Sequence, residues 1–246
     1  MRRPLFSCLL MLLALATASC SGGEKTETAA EQKTAREEAT GAKVAPVLAR
    51  PDLLAGGWLR PAREAGREGL SITPDGTLRL VGYLQSGLDW SLDGDVLVLR
   101  TLVPQAREPI ETRLHVQHLD ESTLSLEGVA TEMAGAYRRA ELGRATATVE
   151  APQPLGEREM LYVRLYAPLV PEGPASASIA FQGVAAPVEW PVSIDLVYDP
   201  EAVPAGAQLE MQAVVLANAR TLQHSPRAPV PPDSASSGAS LVLPPW

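Results

Sequence analysis

The sequence is short of the residues on which many kinds of functional site depend. Its 246 residues include two cysteines, three histidines and two phenylalanines. A Gly-x-Ser-x-Gly nucleophile motif, a phosphate-binding loop and a dinucleotide-binding glycine motif are all absent. A nucleophile needs a positioned base and a third group that orients the base, and the sequence presents no such set. We therefore expect a protein without enzymatic activity, cofactor or metal.

Basic residues are also in the minority. The chain has 21 Lys and Arg against 29 Asp and Glu. Removal of an N-terminal signal, argued below, would take away Arg2 and Arg3, leaving 19 basic and 29 acidic side chains and a formal charge of −10. Because phosphate binding depends on Lys and Arg, this composition excludes nucleic acid as a partner. It also excludes attachment to anionic lipid by charge alone.

The N-terminus has the order of a secretory signal. Met1-Arg2-Arg3 is followed by an apolar run from Leu5 to Ala16 and then by Thr17-Ala18-Ser19-Cys20. The run is shorter than the ~20 apolar residues of a membrane span. A cysteine at this break resembles the lipobox of bacterial lipoproteins, in which the chain is cut before the cysteine and its thiol is diacylated; Thr17 stands where the family usually has Leu. The alternative is an ordinary signal peptide with an incidental cysteine.

This resemblance implies a signal peptide over residues 1–19 and lipidation of Cys20. Cys8 would be lost with the signal and Cys20 would be acylated, so no thiol or disulfide would remain in an oxidising compartment. Residues 20–48 are then the anchor and a flexible linker, which as a coil would reach roughly 30 Å. Ser21 is not the Asp that resembles an inner-membrane retention signal, which favours the periplasmic face of the outer membrane.

Residues 49–142 alternate as a half-buried sheet does. From Ile110 to His118, apolar residues and Thr occupy one face, and charged or amide side chains with His115 occupy the other. Turn sequences such as Asp93-Gly94-Asp95 separate the runs. The strand-like runs are Thr77–Tyr83, Asp95–Arg100, Ile110–His118 and Ser122–Glu127. About eight strands at this spacing, with no helix between them, predict an antiparallel meander that closes into a small barrel.

This region resembles the small lipocalin-like domains of bacterial envelope lipoproteins. The residues that carry the resemblance are Gly56-Gly57-Trp58, Ile72–Thr77, Trp90 and Leu124–Leu126 before Tyr137-Arg138. It implies that Trp58 plugs the floor of the barrel.

Residues 143–232 have a second all-β pattern, with Pro and Gly between the runs. The runs are Glu159–Tyr166, Ser176–Phe181, Pro191–Tyr198 and Ala207–Ala217. Roughly seven strands predict an immunoglobulin-like β-sandwich. Val163–Leu165, Pro191–Pro200, Gln212–Val215 and Arg220–Leu222 resemble the YbaY/YscW lipoproteins, single-sandwich outer-membrane proteins whose named branch includes the type III secretion chaperones called pilotins. The resemblance implies fold and location but no functional site. Family members are commonly the sandwich alone, whereas here a β domain precedes it.

Residues 233–246 are predicted to be a Pro/Ser-rich tail. Prolines at positions 226, 229, 231 and 232 lack the donor that a central strand needs. We expect an irregular end, with docking of Leu241–Trp246 on a sheet edge as the less favoured alternative.

The histidines give no metal site by spacing. His115 and His118 are three residues apart on a predicted strand, so their side chains are expected on opposite faces, where they cannot bind one ion together. His224 stands alone after the last run.

The charged clusters are predicted to be solvated turns and a solvated loop. Two carboxylates at a turn fall short of the six to eight oxygens that Ca²⁺ takes, and arginines that alternate with glutamates predict a solvated loop. The carboxylates are Asp93 with Asp95 and Asp199 with Glu201, and the arginines are Arg60, Arg63 and Arg67.

The few large aromatic residues can either fill the two cores or line a cavity for an apolar ligand. These residues are Trp58, Trp90, Trp190, Tyr83 and Tyr137. Core packing is the favoured interpretation.

Together these observations predict an all-β lipoprotein, held in the outer membrane by acyl chains on Cys20 and facing the periplasm. Its expected role is contact with another envelope protein, through the sandwich edges or the tail. One alternative is a pilotin-like chaperone that carries a secretin to the outer membrane. Another is a carrier that holds a small apolar ligand or lipid in the first β domain.

Overall fold

Sixteen β-strands make up most of the part of the chain that the structure describes. The structure is a computed structural model, which describes residues 50–245 except 63–66, 105, 107, 130–131, 170–175, 219 and 232–237. The predicted signal peptide, Cys20 and most of the linker lie outside the described residues, as do Arg63 and Trp246.

The first eight strands form one antiparallel sheet that curls into a nearly closed barrel, called the barrel below (residues 56–140). Their order around the sheet is β3-β2-β1-β8-β7-β6-β5-β4. The strands are β1 Gly56–Pro61, β2 Arg67–Ile72, β3 Leu78–Val81, β4 Ser86–Asp93, β5 Val96–Leu102, β6 Ile110–Leu119, β7 Thr123–Glu127 and β8 Gly135–Ala140. β3 and β4, at the two ends of the order, are joined by a bridge between Thr77 and Asp89. Near closure leaves few unpaired edges.

Alternation along each strand builds the barrel core. In β6, Leu114 and Val116 are buried while Glu111, Arg113 and His115 are exposed, as the period of two requires. A short helix, α1 (Pro51–Leu54), precedes β1. The indole Nε1 of the fully buried Trp58 donates a hydrogen bond to the Leu54 carbonyl at 2.8 Å.

The last eight strands form two further sheets, called the sandwich below (residues 143–242). They are β9 Gly143–Glu150, β10 Glu159–Pro168, β11 Ser176–Ala185, β12 Val192–Tyr198, β13 Glu210–Ala217, β14 Arg220–His224, β15 Ala228–Pro229 and β16 Ala239–Val242. One sheet has the order β11-β10-β13-β14, with β15 also paired to β13, and the other has the order β12-β9-β16. The prediction of an all-β fold, with a small antiparallel barrel followed by a β-sandwich, is confirmed.

Residues from both sheets meet in the sandwich core. The core is a single cluster in which Leu161, Val163 and Val215 of the larger sheet are fully buried with Ala147 and Val149 of the smaller sheet. A short 3₁₀ turn at Pro200–Ala202 follows β12, and the Asp199 side chain accepts a hydrogen bond from the Glu201 amide at its start.

The C-terminal segment corrects the expectation of an irregular tail. Ala239–Val242 forms β16, which pairs in parallel with β9. Leu241 and Leu243 are each 1% exposed and belong to the sandwich core. The prolines at positions 226, 229, 231 and 232 all precede this strand. They therefore do not interrupt the alternating apolar residues Ala239, Leu241 and Leu243, which dock beside β9.

Candidate functional site

The barrel meets the outer face of the larger sheet and also β12 of the smaller sheet. Along β10, Leu161 and Val163 point into the sandwich core, whereas Met160 and Tyr162 cluster with Leu102 of the barrel. Successive side chains of a strand point to opposite faces. β10 is therefore buried on both faces, which explains its nearly continuous apolar sequence.

Hydrogen bonds join β11 to the start of β4. The Gln182 side-chain amide donates to the Gly87 carbonyl at 2.9 Å, and the Gly183 amide donates to the Ser86 hydroxyl at 2.7 Å. A Cβ on Gly183 would lie 2.6 Å from the Tyr162 ring. The Tyr162 ring of the neighbouring strand β10 therefore leaves no room for a side chain at this position, and the Ser86 hydroxyl of β4 would lie 3.1 Å from the same Cβ.

An ion pair also links the barrel to the sandwich. Arg67 of β2 donates to both carboxylate oxygens of Asp199, through Nε at 2.6 Å and through Nη2, and lies 2.9 Å from Glu201. The Asp199 side chain is 7% exposed and that of Arg67 is 30% exposed. Two parallel hydrogen bonds to one carboxylate form the most specific kind of arginine pair.

Arg60 and Arg67 therefore do not belong to a solvated loop, and that prediction is wrong for both. The side chain of Arg60 is 10% exposed. It donates to the carbonyls of Glu132 and Ala134, pairs with Glu68 at 2.8 Å, and lies over the Tyr137 ring at 5.1 Å. Arg60 thus ties β1 to the segment that precedes β8. The two carbonyl partners of Arg60 are distant from it in sequence. The local alternation of arginine and glutamate therefore did not indicate them.

Side chains occupy the interior of the barrel. Its core is a cluster of leucines, Trp58 and other large residues, most of them with no measurable exposure. The Tyr83 and Tyr137 hydroxyls are 2.8 Å apart, and Tyr137 donates to the Met133 carbonyl at 2.7 Å. Burial raises the pKa of both tyrosines. A ligand inside the barrel would have to displace this packing.

The structure does not bring the five predicted aromatic residues together around one cavity. Trp58, Tyr83 and Tyr137 pack in the barrel core, with Trp90 at its edge, where its Nε1 donates to the Thr73 carbonyl at 2.9 Å. Trp190 instead packs against the sandwich core.

A groove lies at the junction between the barrel and the sandwich, and we call it the junction groove. It has a volume of about 320 Å³, within the lower range of ligand sites. One wall comes from the barrel and one from the larger sheet. The lining residues that matter below are Tyr83, Leu84 and Pro104 of the barrel and Tyr162, Arg164 and Phe181 of the sheet. Leu84, between β3 and β4, is 84% exposed at the rim.

The polar side chains of the junction groove include one cation and the hydroxyls of two residues of the larger sheet. Its described lining contains one charged residue, Arg164, with the hydroxyls of Tyr162 and Ser178, and no carboxylate. Arg164 is half-buried, and no ion pair or hydrogen bond joins its guanidinium to the described residues. Burial raises the pKa of Tyr162 to about 12, with the nearby Arg164 acting in the opposite direction. Tyr162 therefore stays a neutral donor at physiological pH.

A second feature is the outer edge of β14, which we call the β14 edge (Arg220–His224). β14 is the last strand in the order of its sheet and pairs with β13 in the described part of the chain. All of its residues except Gln223 are exposed, and Leu222 is 50% exposed at a register shift. An edge strand presents unpaired N–H and C=O groups that another chain can pair with.

The histidines lie on the surface without forming a joint site. His115 lies 3.6 Å from Asp95, and His118 lies 2.8 Å from Asp120. The expectation that His115 and His118 occupy opposite faces is wrong, because a register shift between Val116 and His118 turns both outward. This bulge adds one residue to β6.

The expectation of solvated acidic turns holds at Asp93, whose side chain is 74% exposed, and is wrong at Asp199, whose side chain is 7% exposed because it pairs with Arg67. Asp93 pairs with Arg113 at 2.7 Å, and Asp199 with Glu201 belongs to the pair with Arg67. No group of three or more potential metal ligands occurs among the described residues. His224 has the Gln212 side-chain amide at 3.3 Å.

The membrane anchor is not addressed by the described residues. Cys20, the predicted lipidation site, precedes them. None of the helical segments in the described ranges has the length and apolar character of a membrane span.

Comparison with known proteins gives two similar structures. The sequence matches no protein family and has no significant match among curated proteins. An alternative pilotin from the type II secretion system of Vibrio cholerae is 16% identical, with 43% of this chain and 100% of that chain covered and a TM-score of 0.35. A lipocalin-like protein from Bacteroides thetaiotaomicron VPI-5482 is 19% identical, with 36% and 97% covered and a TM-score of 0.30. These likenesses are too distant to support an assignment of function.

Sequence reasoning missed the residues that define both surfaces. Arg164 is a single charged residue within the nearly continuous apolar sequence of β10, and the sequence alone does not indicate what its side chain meets. Leu84 stands in an ordinary loop between two strands. For the third residue, Leu222, the sequence predicted only that some edge of the sandwich contacts a partner. It did not single out Leu222 or its strand.

Proposed function

We propose that the protein is a lipid-anchored protein of the outer membrane that acts in the periplasm by binding another envelope protein, without catalysis. The signal sequence and Cys20 support the location. The β14 edge supports the mode of action. The observation on which the proposal rests is that its exposed outer edge pairs with no other strand of the described residues.

Three of the other sandwich edges, β11, β12 and β15, are less suited to binding a partner. β11 is hydrogen-bonded to Ser86 and Gly87 of the barrel. In β12, the Asp195 carbonyl accepts a hydrogen bond from Arg79 of the barrel at 3.2 Å. Pro229 limits β15, since proline has no N–H to donate. β14 offers five residues with the half-exposed Leu222 among them.

Addition of a partner strand to β14 would supply main-chain hydrogen bonds, and side-chain contacts with Leu222 would supply specificity. The bulge at Leu222 limits such pairing to a short segment, because a bulge bends the strand and disrupts the ladder. We therefore expect a contact of moderate affinity that the shared location of the two proteins reinforces.

The proposal is tested by placing a photo-crosslinking amino acid at position 222 of the full-length protein in intact cells. The matched control carries the same residue at position 129, where Val129 is 98% exposed on the barrel. We expect a discrete protein adduct from position 222 and none of the same size from position 129. Equal adduct patterns from the two positions would reject β14 as a contact surface.

The location is tested separately by membrane fractionation. The wild-type chain should sediment with the outer membrane, and the Cys20→Ser form should not. Outer-membrane recovery of the Cys20→Ser form would contradict lipid anchoring at this residue.

A pilotin-like chaperone for a secretin is the narrower form of this proposal. It requires the adduct at position 222 to contain a secretin subunit, and it requires secretin to be mislocalised when the protein is deleted. A normal secretin distribution would reject the chaperone role and leave the contact itself to be assigned.

A further inference from the structure

We propose that the junction groove is a binding site for a medium-chain fatty acid, with the apolar chain in the groove and the carboxylate on Arg164. The proposal goes beyond the protein contact at β14 and does not depend on it.

The body of the junction groove suits an apolar chain. Leu84, Pro104 and Phe181 contribute apolar surface from both the barrel and the sheet. Ligand sites are typically concave and mostly apolar, with a few polar groups that fix orientation. A volume of about 320 Å³ lies at the low end of such sites, about 300–1,000 Å³. It therefore favours a single medium-length chain over a phospholipid with two.

The charge of the junction groove selects the sign of the ligand. In a chain with more acidic than basic residues, the described lining holds one arginine and no Asp or Glu. The surface arginines Arg100 and Arg113 pair with aspartates at 2.7 Å, whereas Arg164 has no such partner among the described residues. A half-buried guanidinium has already lost part of its hydration, so a carboxylate can complete its hydrogen bonds.

Two neutral donors extend the anion site. The Tyr162 hydroxyl has a weak acceptor, the Met160 sulfur at 3.5 Å, and the Ser178 hydroxyl has the Ala180 carbonyl at 3.4 Å. Sulfur is a weak acceptor, and the Ser178 contact is long for a hydrogen bond to oxygen, so either hydroxyl can exchange its present acceptor for a carboxylate oxygen with little loss. The guanidinium of Arg164 can only donate, which a carboxylate uses and an ammonium group cannot, whereas the two hydroxyls can donate or accept.

The interior of the barrel is the alternative site for an apolar chain. Side chains already occupy that space, which argues against binding there. The groove differs because its space is open to solvent at the rim, where Leu84 is 84% exposed. Covering Leu84 with an acyl chain removes apolar surface from water, which contributes about 25 cal/mol per Å² to the free energy of binding.

The test is calorimetric titration of the complete mature chain, beginning at position 20 and carrying Cys20→Ser so that no detergent is needed. The probes are decanoate, decanol and decylamine, used below their micelle concentrations. We expect decanoate to bind, with decanol weaker and decylamine weakest, because the anionic head group alone pairs with Arg164.

Arg164→Gln should lower the affinity for decanoate about ten- to a hundredfold, the effect of one hydrogen bond to a charged group. The same change should leave decanol binding within about twofold. Arg100→Gln removes an exposed arginine of the barrel and is the matched control, with decanoate binding unchanged. Thermal melting of both variants establishes that each is folded.

Leu84→Ser tests the apolar part independently, because it should weaken decanoate and decanol by the same factor. Absence of decanoate binding to the wild-type chain would overturn the proposal. Decanoate binding that is unchanged in Arg164→Gln, or matched by decylamine, would overturn the assignment of the carboxylate to Arg164. The purified chain is used alone, so a failure here leaves the protein contact at β14 unaffected.

Discussion

Replacing Asp199 with Asn should loosen the connection between the barrel and the sandwich. Asp199 is 7% exposed and accepts two hydrogen bonds from Arg67. Removing one partner of a fully buried pair costs about 3–5 kcal/mol, whereas exposed pairs contribute about 0.2–1 kcal/mol. Arg67 is 30% exposed and keeps Glu201 at 2.9 Å. We therefore expect a loss of about 2 kcal/mol of unfolding free energy, between these limits.

The assay is urea unfolding of the Cys20→Ser chain, followed by tryptophan fluorescence. Asp89→Asn is the matched control, because the Asp89–Arg100 pair has the same residue types and a distance of 2.7 Å, yet its side chains are 46% and 48% exposed. The control should lose no more than about 1 kcal/mol.

A double-mutant cycle with Arg67→Met isolates the pair itself. A coupling free energy of about 1–2 kcal/mol is expected between positions 67 and 199. Equal losses in Asp199→Asn and Asp89→Asn, together with a coupling near zero, would refute the claim that this ion pair joins the two parts.

Three further predictions concern the cores. Trp58→Phe should cost about 2–3 kcal/mol in urea unfolding, because it leaves the buried Leu54 carbonyl without its donor; a loss below about 0.5 kcal/mol would contradict this. Leu241→Ala should cost about 2–4 kcal/mol, whereas the adjacent Val242→Ala, at a residue 56% exposed, should cost less than about 0.5 kcal/mol; similar losses would contradict the docking of β16. The pKa of Tyr162, raised by burial to about 12, exceeds the unfolded value of ~10, so stability present below pH ~10 should fall as pH rises towards 12. The free energy of unfolding, measured across this pH range, should fall less in Tyr162→Phe than in the wild-type chain. An identical fall would refute the assignment of this pH dependence to Tyr162.

Strand positions were predictable because alternation is a local property. β6 was expected over Ile110–His118 and is found at Ile110–Leu119, and β10 was expected over Glu159–Tyr166 and is found at Glu159–Pro168. β6, β7 and β9 bury alternate residues, so period-two patterning marks them. β2 and β5 also bury residues of the other face, and there the alternation is weaker.

The predictions that failed involve contacts between residues that are distant in sequence. Arg67 and Asp199 are 132 positions apart, and each taken alone resembles an ordinary turn residue. Arg60 pairs locally with Glu68 but takes its remaining partners from the segment before β8. The bulge at His118 is set by pairing with β7 and leaves no trace in the alternation of β6.

The candidate surfaces were even less visible in the sequence. Arg164 is one charged residue in a nearly continuous apolar strand. It becomes distinctive only because the barrel covers its neighbour Tyr162 while leaving the guanidinium unpaired among the described residues. β14 becomes an edge through the order of the sheet, which strand patterns alone do not determine.

The central claim is that the anchored protein contacts an envelope partner through β14. The most direct measurement is photo-crosslinking from position 222 in intact cells, with adducts identified by mass spectrometry in the wild-type and Cys20→Ser backgrounds. We expect one envelope protein to be captured from position 222 of the anchored protein. The same adduct should be absent from position 129 and should be lost in the Cys20→Ser background. The same adduct from both positions, or no adduct from position 222 of the anchored protein, would contradict it.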